Sequence, residues 1–375
     1  MAGIYIHIPF CRHKCNYCDF YSIKDSGGVE ELVKAEITEL SLRKDYVQNE
    51  IVKTIYFGGG TPSLLSLDMV GLLLENVRSN FDVSDDCEIT FEANPDDLTE
   101  SYLSGLRGVG VNRLSIGFQS FNDEILKYLG RRHDSKRLAE IIDFANIAGF
   151  NNISADLIFG IPGMAFDVYM DSLTKMISLN IQHVSAYSLT IEKGTMFYKM
   201  LKNKTLYEIP EEQLLNQYNT TVDFLLLHGF YQYEISNYAK KDFQSRHNSS
   251  YWENENYLGI GPSAHSYNGT SRQWNMSNTK KYSDHIRQEK STYEIEFLTA
   301  NDKFNEYIIT HLRTSNGISR DYISRNFNEV VGHYLYNEIE KLVNSDLLIV
   351  NDNNIILTRK GMLVSDYILR QLYFV

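Results

Sequence analysis

The first 190 residues alternate between short apolar runs and stretches with the helical periodicity of one apolar face. The runs predict six strands, at Ile4–Ile8, Thr54–Phe57, Glu88–Glu92, Arg113–Gly117, Ile153–Ile158 and His183–Leu189. Helices are predicted between them, near Val29–Asp45, Leu67–Asn80, Thr99–Val109, Lys136–Ala148 and Asp167–Leu179. Parallel strands need such crossovers, so the pattern predicts an α/β fold with a parallel sheet. Six units are two short of a closed eight-unit barrel, which favours a partial (β/α)6 barrel.

Glycine-rich or polar segments follow every predicted strand. A cysteine loop follows the first strand, and the others are followed or ended by Gly58–Pro62, Glu92–Pro95, Gly117–Ser120, Asp156 with Gly160–Gly163, and Ser188–Thr190. In β/α barrels the active site is built from the carboxyl ends of the strands and the loops after them. The pattern therefore predicts one site at that end of the barrel.

The pattern changes after Pro210, and we divide the chain into a barrel core at 1–240, a connecting segment at 241–300 and a module at 301–375. Helical periodicity at Phe304–Leu312 and Val331–Leu342, followed by a hairpin at Leu347–Val350 and Ile355–Thr358, predicts an α+β winged-helix-like module. Such modules often bind DNA, but this one carries 8 basic and 9 acidic side chains. We interpret it as a packing or partner module.

The formal net charge of the whole chain is −12, with 36 basic and 48 acidic side chains. This argues against a dedicated nucleic-acid binder, because such proteins neutralise phosphates with Lys and Arg. It also argues against docking on an anionic membrane, and no uncharged run reaches the roughly 18 residues of a spanning helix. Since the N-terminus has no export signal, we expect a cytoplasmic protein whose thiols stay reduced.

Three of the four cysteines lie close together, at Cys11, Cys15 and Cys18. Soft thiolate ligands indicate zinc or an iron–sulfur cluster, and a structural zinc site needs a fourth ligand. His13 is close in sequence for that role, and Cys87 precedes the third strand, at the opposite end of the barrel. Three thiolates leave one iron of a [4Fe–4S] cluster open to another ligand.

The spacing C-x3-C-x2-C, with Tyr17 before the last cysteine, resembles the signature of radical S-adenosylmethionine (SAM) enzymes. The resemblance implies a [4Fe–4S] cluster on Cys11, Cys15 and Cys18, with SAM on its open iron. It also implies an electron donor, because reduction of the cluster cleaves SAM to a radical in that superfamily. Glycines at 58–60 suit this role, since a residue without a Cβ lets the backbone approach a cofactor closely.

Longer stretches, including Tyr5–Cys11, Phe91–Pro95, Leu114–Phe121 and Asp156–Pro162, resemble the coproporphyrinogen III oxidase (HemN)-like family, which contains oxygen-independent oxidases and heme chaperones. The resemblance implies SAM contacts at Tyr5, Tyr17, Gly59, Gly60, Thr61, Glu92, Gln119, Arg131, Asp156, Thr190 and His265. Polar side chains at several of these positions suit ribose hydroxyls and a carboxylate.

Two departures favour the heme chaperones over the oxidases. The oxidases have a further cysteine where this chain has Phe20, and a long segment before the cysteines, whereas this chain begins ten residues before Cys11. Residues 247–252 read H-N-x-x-Y-W, which is associated with the heme chaperones. This makes His247 the expected axial heme ligand, with His265 in reserve; heme-accepting proteins are the expected partners.

An oxygen-independent coproporphyrinogen III oxidase is the first alternative, and enzymatic activity stays open. A radical SAM enzyme acting on RNA is the second, which the acidity of the chain and the lack of a basic domain disfavour.

Overall fold

The computed structural model describes residues 1–24 and 27–375. Six parallel strands follow one another in sequence and in space. They are β1 (Ala2–Ile8), β2 (Val52–Gly59), β3 (Val83–Ala93), β4 (Arg113–Gln119), β5 (Ile153–Phe159) and β6 (His183–Ser188). The helices between them are α1 (Val29–Leu42), α2 (Leu67–Asn80), α3 (Glu100–Gly108), α4 (Asp123–Leu129), α5 (Arg137–Ile147) and α6 (Phe166–Ile177). The predicted α/β partial barrel is confirmed.

The two faces of these strands differ in chemistry. On β2, Ile55 and Phe57 are buried in the large hydrophobic core that the helices cover. Thr54 and Tyr56 alternate with them and point to the other face, where they bond to polar side chains from other elements. Side chains on a strand alternate between faces, so this pattern makes one apolar outer face and one polar inner face. We call the polar inner face the lumen.

The segment between the sixth strand and the C-terminal module extends the sheet at both ends. Its elements are α7 (Met196–Lys202), α8 (Glu211–Leu227), β7 (Tyr231–Gln232), β8 (Asn237–Ala239), α9 (Arg246–Trp252), β9 (Asn256–Ile260), β10 (His265–Tyr267), β11 (Ser271–Asn275), α10 (Thr279–Arg287) and β12 (Tyr293–Phe297). The sheet has the strand order β12-β11-β10-β9-β1-β2-β3-β4-β5-β6-β8-β7. Residues 241–300, expected as a connection, thus contribute four strands, and β9 pairs parallel with β1.

The C-terminal elements have a hydrophobic core of their own. They are α11 (Ala300–His311), β13 (Ile318–Ser319), α12 (Arg320–Asn326), α13 (Glu329–Asn344), β14 (Leu348–Asn351), β15 (Asn354–Leu357), α14 (Arg359–Leu363) and α15 (Ser365–Leu372). A three-stranded sheet of order β13-β15-β14 packs with these helices, which is the arrangement of a winged helix. An ion pair between Arg272 and Glu306 joins this module to the large sheet. Within the described residues, no helix is both long and apolar enough to cross a membrane.

Helix α1 buries two carboxyl groups one turn apart, and their surroundings differ. Glu39 accepts hydrogen bonds from Arg43 (3.1 Å), Asn275 (2.8 Å), the Gly261 N–H (2.9 Å) and the Tyr282 hydroxyl (2.5 Å). Glu36 is fully buried, and neither of its oxygens has a hydrogen-bond partner among the described residues. Burial, and then the charge of Glu39, hold the pKa of Glu36 well above its usual range.

We expect Glu36→Gln to stabilise the protein at neutral and alkaline pH. A carboxyl group whose pKa is raised by folding lowers stability as pH rises above its unfolded value of about 4.5, because the folded state then resists ionisation. The variant should gain about 1–3 kcal/mol in free energy of unfolding at pH 8 and little at pH 4. Denaturant titrations at both pH values measure this. Glu39→Gln is the matched control and should lose stability at pH 8; a loss at Glu36→Gln would contradict the prediction.

Candidate cluster and cofactor site

The loop that carries the three cysteines starts at the end of β1 and is held by backbone hydrogen bonds. The Cys11 N–H donates to the Ile23 carbonyl at 3.0 Å, which closes the loop on itself. The Asn16 N–H donates to the Leu129 carbonyl at the end of α4 (3.0 Å), and the Asn16 side chain donates to the Tyr128 carbonyl (2.8 Å). The loop is therefore held between the end of β1, from which it starts, and the end of α4.

Side-chain hydrogen-bond donors point at two of the three sulfur atoms. The Thr61 hydroxyl donates to Cys11 Sγ at 3.4 Å, and Arg131 Nη1 donates to Cys15 Sγ at 3.7 Å. Asn94 links the two donors, because its Nδ2 donates to Thr61 Oγ1 (3.1 Å) and its Oδ1 accepts from Arg131 Nη2 (2.7 Å). One polar network thus connects two cysteines through loops of three different strands. Donors of this kind stabilise thiolates, the form that binds iron.

The donor set fits a cluster that takes three protein ligands. All three thiols are partly exposed on one loop, and Cys87 is buried in β3 with burial raising the pKa of its thiol to about 12. Within residues 1–24 and 27–375, no three His, Cys, Asp or Glu side chains are arranged around a single metal ion. A four-iron cluster separates its ligands more widely than one ion does. His13, the other local ligand considered, is exposed.

Packing within the protein requires glycine at the end of β2 and at the position after it. A Cβ at Gly60 would lie 2.8 Å from the Phe10 carbonyl and 2.9 Å from the Ile8 carbonyl. Gly59 has a φ of 107°, which disfavours other residues, and a Cβ there would clash with the His7 ring. Both glycines therefore let β2 approach the start of the cysteine loop closely. The sequence predicts a second reason for these glycines, which is a close approach of the backbone to SAM. That second reason stays a prediction.

Two carboxyl groups lie in the lumen below the cysteine loop. Burial raises the pKa of Glu92 to about 7, although it accepts a hydrogen bond from the Tyr56 hydroxyl at 2.7 Å. Burial also raises the pKa of Asp156 to about 6, against the opposing effects of Ser185 and Arg131. Neither forms an ion pair with a described Lys or Arg side chain. Partly buried acids without a cation suit a ligand that brings hydroxyl donors and a positive charge, as SAM does.

Three further predicted residues border the same space. The Tyr5 hydroxyl is hydrogen-bonded to His7 Nδ1 at 3.0 Å, and its ring stacks on Tyr56 with the centroids 6.0 Å apart. Burial raises the pKa of Tyr17, and the charges of Arg131 and both nearby thiols also act on it. Gln119 ends β4 with a φ of 68°, an uncommon conformation for a residue other than glycine. It is buried beside Gly117, next to Arg131.

His247 lies at the floor of the lumen, on helix α9, which the H-N-x-x-Y-W stretch forms. It is 1% exposed, and its ring stacks on Tyr56 at 4.9 Å between centroids. Nδ1 is hydrogen-bonded to the Thr54 hydroxyl and Nε2 to the Tyr251 hydroxyl, both at 2.8 Å. Burial lowers the pKa of His247 to about 3. Both ring nitrogens are thus engaged, and axial ligation of a heme iron would require one of these bonds to break and α9 to move.

The remaining two predicted residues lie apart from this group. Thr190 is exposed beyond β6. His265 is exposed at the start of β10, with its ring 6.4 Å from that of Trp274. The His265 carbonyl packs against Gly259 of β9, which pairs with Tyr5 of β1, and the charge of His265 also acts on the pKa of His7 near the end of β1. His265 therefore borders the mouth of the barrel, whereas the structure does not bring Thr190 into contact with the others.

The sequence patterns did not indicate the roles of Asn94 and Tyr56. In the sequence Asn94 is one residue of a polar loop after β3, and Tyr56 is one residue of an apolar run. The alternation of Thr54, Tyr56 and Gly58 against Ile55 and Phe57 was the available signal. It marks Tyr56 as an inward-facing residue of β2.

Comparisons with known proteins agree on one superfamily. A model of the radical SAM superfamily matches residues 5–174. The chain is 35% identical to the heme chaperone HemW of Bacillus subtilis over 98% of this chain and 97% of that protein. It is 38% identical to the heme chaperone HemW of Escherichia coli over 70% of this chain and 69% of that protein.

One solved structure covers nearly the whole fold. Coproporphyrinogen III oxidase (HemN) from Escherichia coli, described as a radical SAM enzyme, matches with a TM-score of 0.86 and 24% identity over 99% of this chain and 90% of that chain. At this identity the likeness extends to the fold alone.

Proposed function

The chain belongs to the HemW family of radical SAM proteins, and on that premise we propose that it is a heme chaperone that passes heme to acceptor hemoproteins in the cytoplasm. The similarity to the Bacillus subtilis protein along 97% of its length is the observation that carries this proposal. Membership of the family also confirms the resemblance inferred from the cysteine spacing and the strand-end motifs.

We propose that Cys11, Cys15 and Cys18 bind a [4Fe–4S] cluster and that SAM binds beneath it in the lumen. The cluster and SAM together supply one-electron chemistry, for which an external electron donor is needed. The chain's own residues would position them: Thr61 and Arg131 donate to the sulfur atoms. Glu92 and Asp156 offer two partly buried carboxyl groups with raised pKa values to ribose hydroxyls. Tyr5, Tyr17, Gly59, Gly60 and Gln119 complete the proposed SAM site.

We propose His265, in preference to His247, as the axial ligand of the heme iron. His265 is exposed beside Trp274, whose indole can cover part of a porphyrin face. His247 is buried with both ring nitrogens hydrogen-bonded, so its use as a ligand costs a rearrangement. Its position instead supports a structural role, in which its hydrogen bond to Thr54 holds α9 against β2.

We expect the reconstituted protein to bind heme and not to convert coproporphyrinogen III to protoporphyrinogen IX. Phe20 stands where the oxidases have a cysteine, and its side chain is 65% exposed. His265→Ala should shift or abolish the heme absorption bands and leave the cluster absorbance unchanged. His247→Ala should leave the heme bands in place and lower the melting temperature, because it removes two buried hydrogen bonds. Anaerobic heme titration and an oxidase assay, run on the same samples, measure both properties.

Multiple-turnover decarboxylation of coproporphyrinogen III would replace this proposal with the oxidase. Heme bands lost in His247→Ala but retained in His265→Ala would assign the ligand to the floor of the lumen. Thr190→Ala serves as a control, because the exposed Thr190 side chain should affect neither heme nor cluster.

A further inference from the structure

Strand β12 ends the large sheet and leaves one edge free. Among the described residues, β11 is its one neighbour in the sheet. The Thr292 carbonyl accepts a backbone hydrogen bond from the β11 side at 2.8 Å, and the Leu298 N–H donates one to that side at 2.9 Å. Backbone groups alternate between the two edges of a strand, so the even-numbered residues of 292–298 face β11. The N–H and C=O groups of Tyr293, Ile295 and Phe297 therefore face away from the sheet.

Two of these three residues keep their backbone groups available. Ser291 satisfies Tyr293 locally: its hydroxyl accepts from the Tyr293 N–H (3.4 Å) and donates to the Tyr293 carbonyl (3.1 Å). No described group bonds to the outward N–H and C=O of Ile295 and Phe297. An open edge of this kind is a template for one more strand, and natural proteins normally protect it.

The side chains of β12 give this edge two distinct faces. Tyr293, Ile295 and Phe297 lie on one face, and Phe297 is 73% exposed. Glu294 and Glu296 lie on the other face, are exposed, and form no ion pair with a described residue. Apolar and acidic positions thus alternate along an edge whose faces are both open to solvent.

We propose that β12 binds an extended segment of a partner protein as a thirteenth strand, with lysine or arginine alternating with apolar residues in that segment. Lysine or arginine would lie opposite Glu294 and Glu296, and the apolar residues would cover Ile295 and Phe297. The formal net charge of −12 also favours a basic segment over an acidic one.

A second copy of the chain fits this edge poorly. Two-fold antiparallel pairing about Ile295 would place Glu294 opposite Glu296 of the other copy, twice in each dimer. Like charges at directly opposed positions destabilise a strand pair. The charge pattern of β12 therefore disfavours self-pairing, and the partner segment is expected from another protein.

Two fluorescein-labelled peptides test the proposal on the full chain by fluorescence anisotropy. In one peptide valine alternates with lysine, and in the control valine alternates with glutamate. We expect the lysine peptide to bind about tenfold more tightly, since two attractive cross-strand pairs replace two repulsive ones. The preference should shrink as salt rises.

Three variants separate strand addition from general charge attraction. Glu294→Lys with Glu296→Lys should reverse the preference towards the glutamate peptide. Glu208→Lys with Glu340→Lys makes the same change in net charge at exposed sites elsewhere and should leave the preference intact. Ile295→Pro removes an outward N–H that bonds nothing in the sheet, so it should abolish binding of the lysine peptide while the melting temperature stays close to that of the wild type.

Either of two results would overturn the proposal. The first is a lysine-peptide affinity that survives both Ile295→Pro and the reversal at Glu294 and Glu296. The second is a wild-type dimer in sedimentation that Ile295→Pro converts to a monomer, which would make a second copy the occupant.

Discussion

Replacing any one of Cys11, Cys15 or Cys18 by alanine is expected to abolish the [4Fe–4S] absorbance after anaerobic reconstitution. The three thiols share one loop, and with His13 exposed outward no described side chain is placed to substitute for a lost ligand. Loss of a ligand to an iron–sulfur cluster cannot be compensated by packing, because the loop has no hydrophobic core of its own. Iron and sulfide content, with the visible spectrum, measures the result.

Cys87→Ala is the matched control for this prediction. Cys87 is 5% exposed, its Sγ lies 3.7 Å from the Glu88 carbonyl oxygen, and it packs in the large core away from the cysteine loop. The variant should keep full iron content and lose only the small packing energy of one sulfur atom. Full iron content in Cys15→Ala, or loss of the cluster in Cys87→Ala, would disprove the assignment.

The alternation of strands and helices in the first half of the chain could be predicted because it is local. Each strand of the barrel is a short apolar run, and each run is followed by a turn and a helical period. Strand β9 could not be predicted in the same way. It pairs with β1, about 250 residues earlier, and a pairing at that distance leaves no local pattern. Its central Gly259 is required because a Cβ would clash with the His265 carbonyl.

The residues of the candidate site also differ in whether a local sequence pattern predicts them. Cys11, Glu92 and Asp156 were predicted because each stands at the end of a strand, where barrel sites form. The environment of His247 was not predictable from local patterns, because Thr54 of β2 contacts it only after α9 packs across the lumen. Tyr251, its other partner, lies one turn further along the same helix. Sequence motifs indicate which residues matter to a family, while the tertiary contacts decide whether a histidine is open to a metal.

The SAM affinity of the reconstituted protein is expected to fall tenfold or more in Arg131→Ala. Arg131 holds three groups at once: it donates to the Gly117 carbonyl (2.6 Å), to Asn94 (2.7 Å) and to Cys15 Sγ (3.7 Å). Its Nε is buried without a described partner, so one donor is left for a ligand. Loss of one hydrogen bond to a charged group costs about 1.5–3 kcal/mol, which is roughly tenfold or more in affinity. Equilibrium dialysis with SAM measures the change.

The adjacent arginine provides the control for this prediction. Arg132 lies next to Arg131 in the chain but pairs with Asp96 at 3.4 Å and Asp97 at 3.5 Å. Arg132→Ala should leave SAM affinity within about twofold, since partly exposed ion pairs contribute little. Arg131→Lys should resemble Arg131→Ala, because one ammonium cannot reach three acceptors with the geometry of a planar guanidinium. Equal SAM affinity in Arg131→Ala and the wild type, at equal iron content, would exclude Arg131 from the SAM site and restrict it to supporting the cysteine loop.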